Sequence, residues 1–348
     1  MRRLWLAVLA VVVCAGAAWG YAPNDPAVPQ QWELAKTGVL LAWNYTMGKP
    51  GIKVAVIDGG VVSSNRDLTA KLLAGRNIVT GTGITNQVCD EHGTHMASIA
   101  AAIADNGFAM AGVGAGCSIL PVQVSMVKTV TPGGPPLGYA TWGNIAAGLR
   151  WAADQGARVA IVPYEVTGVA EVESAAAYAT GKGCFVVASI GNAWGRYTAA
   201  SSPYIFTVSA LDENGVPAFG YGPSVKIAAP GVKLTVCSWY DSWYSRSASG
   251  SSEAAAFVGG AAALLLSQDP NLTPAQLETI LESTADDLGT PGRDEKFGYG
   301  RVNVLAAMQV AAGGAPPHVH TWDLLGQTYN GAYTVYRCSC GALRVTQP

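Results

Sequence analysis

Two adjacent serines stand where a glycine-rich stretch meets a long apolar run, in "ASGSSEAAAFVGGAAALLLS" (residues 248–267). The run predicts a buried helix opened by Ser252, which is therefore either a nucleophile at a helix N-terminus or only a helix cap. A nucleophilic serine needs a general base. Before residue 318 the chain has two histidines, His92 and His95, in "DEHGTHMASIAAA". Their spacing places them on one helix face, which also suits a metal-binding pair or two packing histidines.

Two more polar residues follow predicted strands. Asp58 ends "IKVAVID" and runs into a pair of glycines, and Asn192 ends "FVVASIGN" directly after Gly191. In open α/β sheets functional groups collect at the carboxyl ends of strands, so these side chains are expected to lie near Ser252. An aspartate, a histidine and a serine in that chain order, together with an amide donor, supply what nucleophilic acyl transfer requires.

Apolar segments alternate with helical patterns between residues 52 and 310. The segments are too continuously apolar for one-faced strands and predict a parallel sheet covered on both sides. They are "IKVAVID" (52–58), "SILPVQV" (118–124), "ARVAIVP" (157–163), "CFVVASIGN" (184–192) and "IFTVSAL" (205–211). Helical patterns lie between them in "HMASIAAAIA" and "TWGNIAAGLRWAADQG". This alternation is typical of a doubly wound α/β fold.

A late segment, "LTPAQLETILESTADDLG", predicts a surface helix. Thr273 is the expected N-cap, Pro274 takes the first helical position, and Gln276 closes a capping box. The inward residues of this helix are expected to be Leu277, Ile280, Leu281 and Leu288.

The N-terminus has the pattern of a secretory signal. Two arginines precede the apolar run "LWLAVLAVVV", and "AWG" offers small residues for cleavage, so residues 1–20 are predicted to be a signal peptide. A buried N-terminal helix is the alternative. Lipid attachment at Cys14 is disfavoured because a bulky valine precedes it. The mature chain is thus expected to be secreted and to have no transmembrane helix.

Composition excludes several classes of partner. The formal net charge of -2, with 13% charged residues, provides no basic excess for nucleic acid and no polybasic run for anionic lipid. The six cysteines after the signal peptide permit disulfides but form no disulfide framework. "GGAPP" (313–317) is a predicted linker between a main domain, residues 21–312, and a small C-terminal module, residues 318–348.

Four blocks of the sequence resemble those of subtilisin-like serine proteases: "VAVIDGG", "HGTHMASIAAA", "VVASIGN" and "GSSEAAAFVGGAAALLLS". The segment "YAPNDPAVPQQWELAKTGVLLAWNYTMG" is similar to the N-terminal arm of thermitase-type members, and the resemblance covers about residues 21–311. It implies a three-layer α/β fold with a mostly parallel sheet. It also implies that Asp58, His92 and Ser252 form a catalytic triad, that Asn192 is the oxyanion donor, and that the second histidine is structural.

The same resemblance implies a calcium site. In the family, an acidic residue of the N-terminal arm, an aspartate beyond the catalytic one and an asparagine-bearing loop surround one ion. Here those positions fall on Asp25, Asp67 and Asn106. Carboxylate, amide and carbonyl oxygens are the ligands that Ca²⁺ prefers. The alternative is that Asp25 and Asp67 are ordinary surface caps.

The nucleophile block departs from the family pattern at Glu253. The family usually has Gly-Thr-Ser-Met-Ala-Ser-Pro-His where this chain has "GSSEAAAF". A carboxylate that points at the oxyanion would oppose the charge of the transition state. It would also raise the pKa of His92, which moves activity to higher pH. A carboxylate turned to solvent, or one that caps the helix, would be stabilised by the helix dipole and would leave catalysis intact.

A second departure concerns the strand that pairs with substrate. The family's Ser-Leu-Gly-Gly is replaced in "IVPYEVTG", which places Pro163, Tyr164 and Glu165 there. Proline lacks an N–H, and Glu165 narrows and charges the wall of the specificity pocket. Tyr164, Glu165 and Gly191 are the expected substrate contacts, and a basic substrate side chain is the hypothesis for Glu165.

A third departure is that the arm begins directly after the predicted signal peptide, where most secreted members carry a folding propeptide. Either folding needs no such segment, or it is supplied elsewhere, or the protein is not matured in the conventional way.

The tail "HVHTWDLLGQTYNGAYTVYRCSCG" carries two histidines and two cysteines: His318, His320, Cys338 and Cys340. The His-x-His and Cys-x-Cys pairs across a hairpin would suit a tetrahedral zinc site in a small, zinc-ribbon-like β module. A β-hairpin with reduced or oxidised thiols is the alternative.

These features predict a secreted, monomeric, calcium-stabilised serine endopeptidase that acts on polypeptides. The alternative is a catalytically silent protein of the same fold that binds peptides or surfaces. The four chemical groups favour the enzyme, whereas Glu253 and the altered pocket wall favour the alternative.

Overall fold

Helices and strands alternate along the chain in the computed structural model, which describes residues 21–83, 88–128, 137–237 and 245–314 and the backbone of three strands in the tail. The helices are α1 (Trp32–Lys36), α2 (Val39–Ala42), α3 (His92–Ala101), α4 (Trp142–Asp154), α5 (Ala170–Gly181), α6 (Ser251–Gln268), α7 (Pro274–Ser283) and α8 (Val304–Ala311). The strands of the first half are β1 (Lys53–Asp58), β2 (Arg76–Asn77), β3 (Thr82–Gly83), β4 (Ser118–Gln123), β5 (Ser125–Lys128), β6 (Leu137–Ala140), β7 (Val159–Val162) and β8 (Phe185–Ser189). Those of the second half are β9 (Gly195–Arg196), β10 (Phe206–Leu211), β11 (Pro217–Ala218), β12 (Gly220–Tyr221), β13 (Val225–Pro230), β14 (Leu234–Cys237), β15 (Ser245–Ala248), β16 (Trp322–Gln327), β17 (Thr334–Cys338) and β18 (Leu343–Thr346).

The central sheet has the strand order β11-β10-β8-β7-β1-β4-β2-β3, and β13 also pairs with β10. The pairs from β10 through β8, β7, β1 and β4 to β2 are parallel, while β3 and β11 pair in the antiparallel direction at the two ends. All five predicted apolar segments lie in this sheet. Its carboxyl edge collects the ends of β1, β7 and β8, as a doubly wound sheet requires.

Side chains of β1 alternate between two apolar cores. Val54 and Val56 pack on one face with α3 and α6, whereas Ala55 and Ile57 pack on the other with α4 and α5. The β-branched residues of the strand fit this pleated surface, and burial on both faces explains its continuous apolar run. The expected three-layer, mostly parallel α/β fold is therefore confirmed.

The capping box of α7 is present, since the Thr273 hydroxyl accepts from the Gln276 N–H and the Gln276 side chain accepts from the Thr273 N–H. Leu277, Ile280 and Leu281 are buried, as predicted. The helix nevertheless ends at Ser283, before the predicted Leu288, which is only partly buried.

Backbone pairing explains this early helix end. Asp286 and Arg301 exchange two backbone hydrogen bonds of 2.8 Å, so the chain leaves the helix to make an antiparallel bridge. Tertiary pairing overrides the helical pattern here.

The four described cysteines, Cys89, Cys117, Cys184 and Cys237, are free and buried. In the tail, β16, β17 and β18 form an antiparallel sheet. The predicted signal peptide (1–20) with Cys14 lies outside the described residues, as do most of the linker, His318, His320 and Cys340. Within the described part of the chain no helix is both long and apolar enough to span a membrane.

Candidate active site

The carboxyl end of β1 meets the N-terminus of α3, and this junction pairs Asp58 with His92. His92 Nδ1 lies 2.8 Å from Asp58 Oδ2, while Asp58 Oδ1 accepts a 2.6 Å hydrogen bond from the Gly59 N–H. The Asp58 side chain is 2% exposed and that of His92 is 35% exposed. A buried carboxylate on Nδ1 fixes the tautomer of the ring and leaves Nε2 to act as the base.

A glycine permits this close approach. A Cβ atom on Gly93, the residue after His92, would lie 2.2 Å from the Gly60 carbonyl oxygen and 3.0 Å from the Asp58 Cβ. Both neighbours belong to the backbone or the stem of a side chain, so neither can move aside cheaply. The Gly that follows His92 in the sequence is therefore what lets α3 start directly beside β1.

Ser252 is the second residue of α6 and is buried, with 5% of its surface exposed. Its hydroxyl donates a 3.2 Å hydrogen bond to the carbonyl oxygen of Pro163, which directly follows β7. The serine therefore lies at the carboxyl edge of the sheet, as predicted, with its proton directed at the backbone of the pocket wall. Catalytic hydrogen bonds of this kind often tighten onto the base only when substrate is bound.

Asn192 lies on the loop three residues beyond the end of β8. Its Oδ1 atom accepts hydrogen bonds from the Ser251 backbone N–H, at 2.8 Å, and from the Ser251 hydroxyl, at 2.9 Å. These two donors fix the orientation of the amide and leave Nδ2 available to donate to an oxyanion beside Ser252. The sequence gives no sign of this role for Ser251. Its hydroxyl contacts the loop at two points, because Oγ also accepts from the Gly191 N–H at 3.1 Å.

Glu253 is turned into this site and is only 5% exposed. Its Oε2 atom lies 2.6 Å from the position that a Cβ on Gly250 would take, and Asn192 Nδ2 lies 3.0 Å from the same point. The Glu253 carboxyl and the Asn192 amide therefore both border the space that a side chain at residue 250 would fill. Glu253 is not turned to solvent, and its carboxyl accepts a hydrogen bond from its own backbone N–H in the first turn of α6, as a capping carboxylate does.

Burial and the neighbouring negative charges shift the pKa of His92 in opposite directions. Burial lowers the pKa of its imidazole, but the negative charges of Asp58, Glu253 and Asp90 outweigh that effect and raise the pKa to about 9. Burial also raises the pKa of the Glu253 carboxyl, and the charge of His92 acts in the opposite direction. The protonation states of Glu253 and His92 are thus linked.

Asp90 is a site residue that sequence reasoning missed. Its Oδ1 accepts from the His92 backbone N–H at 3.1 Å, and its Oδ2 accepts from the Gly138 N–H at 2.6 Å, which ties β6 to the start of α3. Burial raises the pKa of Asp90, and the charge of Asp58 raises it further. The available signal was an acidic pair directly before the histidine in "DEHGTH".

The predicted pocket wall follows β7. The Tyr164 hydroxyl pairs with the Ser125 hydroxyl at 2.7 Å, and its ring packs against the core beneath α4 and α5. Glu165 is exposed, and partial burial raises the pKa of its carboxyl. The Tyr197 ring occupies the space next to the Cα of Gly191, whose N–H donates to Ser251. Pro163 and Gly191 thus contact the two adjacent serines, while Tyr164 packs its side chain into the core.

The three residues predicted to bind calcium come together in a second cluster. Asp25 accepts from the backbone N–H groups of Asp105, at 2.6 Å, and Asn106, at 3.1 Å. Asp67 accepts from Asn106 Nδ2 at 2.8 Å and from the Met110 N–H at 3.0 Å. Both carboxylates are buried. Burial raises the pKa of Asp67 to about 6, and the charge of Asp25 adds to that shift.

Among the described residues, no three His, Cys, Asp or Glu side chains are grouped so that they could hold a metal ion. This cluster has only two such side chains, and backbone and amide oxygens would have to complete its ligand set. In His95, the second residue of the histidine pair, the Nε2 atom lies 3.8 Å from Glu91 Oε2.

Known proteins resemble most of the chain. The profile of the subtilase family matches residues 49–300. Thermitase of Thermoactinomyces vulgaris is 36% identical over 299 residues, which cover 83% of this chain and 100% of that protein. A cell wall-associated protease of Bacillus subtilis (strain 168) is 32% identical over 332 residues, which cover 83% of this chain and 36% of that protein. The solved structure of proteases from Pseudoalteromonas arctica PAMC 21717 has a TM-score of 0.68 at 25% identity and covers 83% of this chain and 99% of its own.

Proposed function

The chain belongs to the subtilase family and is a subtilisin-like serine protease, and from that premise we propose that it is a secreted endopeptidase that cleaves polypeptides through an acyl-enzyme on Ser252. The observation that carries the proposal is the arrangement of four groups at one edge of the sheet. Asp58 orients His92 at 2.8 Å, and the Asn192 amide is held with Nδ2 free at the start of the helix that bears Ser252.

Acylation follows from these groups. The Ser252 hydroxyl turns from the Pro163 carbonyl to His92 Nε2, which takes its proton as Oγ bonds to the substrate carbonyl carbon. The carbonyl electron pair moves onto oxygen, where Asn192 Nδ2 and the backbone N–H of Ser252 donate hydrogen bonds to the negative charge. That N–H is one of the first four of α6 and has no partner within the helix.

The intermediate then collapses. The carbon–nitrogen bond breaks, and His92 gives its proton to the leaving amine, so the ring is neutral again in the acyl-enzyme. Water repeats the sequence: His92 takes its proton, the hydroxide adds to the ester carbon, and Ser252 leaves with the proton returned. Asp58 stabilises the imidazolium that forms twice in each turnover without taking its proton.

Substrate class is proposed from the pocket wall. Pro163 cannot donate a backbone hydrogen bond to a bound peptide, which weakens pairing on that side. Glu165 is an exposed carboxylate one residue beyond Tyr164 on the same wall. A basic side chain of the substrate would pair with it, although partial exposure to water limits what such a pair contributes.

Calcium is proposed for the cluster of Asp25, Asp67 and Asn106. The donor set is of the kind that a hard cation prefers, because it combines two buried carboxylates with an amide oxygen. Asp67 Oδ2 accepts from the Met110 N–H and the Cys237 thiol, and the Asn106 oxygen accepts from the Phe108 N–H, so an ion would share these oxygens with their present donors. Burial is the main cause of the raised pKa of Asp67, and a divalent cation would offset the smaller contribution from the charge of Asp25. Asp25, Asp67 and the Asn106 side-chain oxygen would hold the ion, which would tie the N-terminal arm to the loop after α3.

Zinc in the tail stays a prediction, since the side chains of His318, His320, Cys338 and Cys340 are outside the described structure.

Secretion is supported by the signal-like N-terminal sequence and by the cell-wall location in the name of one relative. The monomeric state is likewise a proposal.

The test is hydrolysis of an unfolded polypeptide by the full chain and two variants of the adjacent serines. Ser252→Ala should lower kcat/KM by at least about a thousandfold, because it removes the nucleophile. Ser251→Ala is the matched comparison and should lower kcat/KM far less, because it removes the hydroxyl that supports Asn192 and Gly191 but keeps the Ser251 backbone N–H on Asn192 Oδ1. If neither the parent chain nor Ser251→Ala hydrolyses peptide bonds, the silent peptide-binding protein is the better description.

A further inference from the structure

Asp90 takes no part in the mechanism above, yet its carboxyl group joins two segments that meet at the active site. Its Oδ1 atom accepts from the His92 backbone N–H at 3.1 Å, and its Oδ2 atom accepts from the Gly138 N–H at 2.6 Å. His92 opens α3 and carries the base, whereas Gly138 lies in β6. One carboxyl group is therefore the common acceptor of two N–H groups from distant parts of the chain.

Two glycines leave room for this carboxyl group. A Cβ atom on Gly59, which follows Asp58 at the end of β1, would lie 2.7 Å from Asp90 Oδ1, and a Cβ atom on Gly138 would overlap Oδ2. The Gly59 N–H also donates to Asp58 Oδ1. The Asp90 carboxyl thus lies against the same turn that holds the aspartate of the triad, and a methyl group at residue 59 or 138 would displace it.

The antiparallel pair of β5 and β6 is held at this point through both of its strands. Asp90 holds β6, and the residue before it holds β5, because the Cys89 thiol donates to the Ser125 carbonyl oxygen at 2.8 Å. The Ser125 hydroxyl also pairs with the Tyr164 hydroxyl of the pocket wall at 2.7 Å. Loss of the Asp90 contact would therefore release β6 at Gly138 without detaching the β5–β6 pair.

The charges at Asp90 agree with this arrangement. Burial and the charge of Asp58 raise the pKa of the Asp90 carboxyl, whereas the charge of His92 and the two backbone hydrogen bonds lower it. Three acids act on the imidazole of His92: Asp58 at the end of β1, Glu253 on α6, and Asp90. Asp58 pairs with the ring, whereas Asp90 accepts from the backbone N–H that fixes where the ring begins.

We propose that Asp90 is a positioning residue that acts through His92: its carboxyl group holds the first turn of α3 and the β5–β6 pair in one arrangement, so that displacement of β6 displaces the catalytic base. This inference rests on the proposed function, because it concerns the alignment of the same triad. It adds no covalent step and no proton transfer. The link matters because misplacement of a reacting group by about 1 Å can cost about a hundredfold in rate.

A double-mutant cycle tests the link, with kcat and KM measured for the parent chain, Asp90→Ala, Gly138→Ala and the double variant. Asp90→Ala should lower kcat by about 10- to 100-fold, because both N–H groups lose their acceptor. Gly138 does not have a positive φ, so an alanine there strains the contact with Asp90 rather than the backbone. Gly138→Ala should therefore lower kcat by about tenfold in the parent chain but by less than about twofold in Asp90→Ala. An equal cost in both backgrounds would overturn the inference.

The pH profile of kcat/KM separates this role from a general loss of packing. Asp90→Asn keeps the shape of the side chain, but it removes a negative charge near His92 and turns an NH₂ group toward one of the two N–H donors. Its acidic limb should lie at lower pH than that of the parent chain, and its plateau should be lower. Glu91→Gln is the matched control, because the adjacent acid lies near His95 instead, and it should keep the limb and the plateau of the parent chain. An unshifted limb in Asp90→Asn, or an equal shift in Glu91→Gln, would contradict the proposal.

A further readout does not depend on hydrolysis. In Ser252→Ala, the amide proton resonances of His92 and Gly138 should move with pH at one common midpoint, because a single carboxyl group accepts both N–H groups. Addition of Asp90→Asn should abolish that common transition. Different midpoints, or a common transition that survives in Asp90→Asn, would refute the shared contact. Failure of the proposed function alone would show instead as a parent chain that hydrolyses no peptide bond while both amides still titrate together.

Discussion

Two clusters of buried acids in this molecule are stabilised in different ways. At the active site, Asp58 and Glu253 lie near the imidazole of His92, whose proton offsets their charge. At the second cluster, which we call the arm cluster and which comprises Asp25, Asp67 and Asn106, the two aspartates instead accept from backbone and amide N–H groups of the loop that carries Asn106. A titrating partner makes the charge of the first cluster depend on pH, and fixed donors tie the second to the fold. Similar groups are therefore expected to affect the rate at the first cluster and the stability at the second.

The two asparagines test this contrast most strongly. Asn192→Ala should lower kcat by about 10²- to 10³-fold with a small change in melting temperature, because its free Nδ2 serves the transition state. Asn106→Ala should leave kcat nearly unchanged and lower the melting temperature, because its Nδ2 already donates to buried Asp67. Activity assays and thermal melts of both variants check this. A similar loss of activity in both variants would contradict the division.

A third buried acid, Glu33, has one carboxyl oxygen that no hydrogen-bond donor or opposite charge compensates in the described part of the chain. Glu33 is 3% exposed, its Oε2 has no partner in the described part of the chain, and burial raises its pKa to about 7. The folded state thus holds a proton that the unfolded state loses near the ordinary value of 4.5. The contribution of this protonation to the free energy of unfolding is fully present below about pH 4.5 and is lost as the pH rises to 7. The total change is up to about 3 kcal/mol.

Glu33→Gln should remove that dependence. Urea unfolding of the parent chain and the variant at pH 4.5 and pH 7.5 should find the variant relatively more stable at the higher pH. An equal difference between the two chains at both pH values would show that Glu33 is not protonated in the fold.

Calcium should affect the arm cluster alone. Addition of Ca²⁺ at about a hundred times its Kd should stabilise the fold by about 2.7 kcal/mol, which corresponds to a rise of several degrees in melting temperature. The rise should weaken below about pH 6, where Asp67 becomes protonated. Thermal melts with calcium and with chelator measure it, and Asp67→Asn is the control that should lose it. A melting temperature unchanged by chelator in the parent chain would remove the calcium proposal.

Sequence reasoning predicted the groups whose positions are set by motif and strand order. Asp58, His92, Asn192 and Ser252 each follow from a residue type at the end of a strand or the start of a helix, which the doubly wound topology brings to one edge. Strand positions were also predictable, because burial on both faces leaves a continuous apolar run.

What the sequence could not provide depends on contacts between distant segments. Glu253 places its carboxyl in the space above Gly250, which Asn192, some sixty residues earlier, also borders. The role of Asp90 depends on the Gly138 N–H in a separate strand, and the early end of α7 depends on a backbone bridge to Arg301. Local patterns carry no information about such partners.

The central claim is that Ser252 is an activated nucleophile. Treatment of the folded full chain with a fluorophosphonate probe, followed by mass spectrometry of its peptides, measures this directly. We predict one adduct on Ser252, absent from Ser252→Ala and strongly reduced in His92→Ala. A folded parent chain that carries no adduct on Ser252 across pH 5 to 10 would contradict the account.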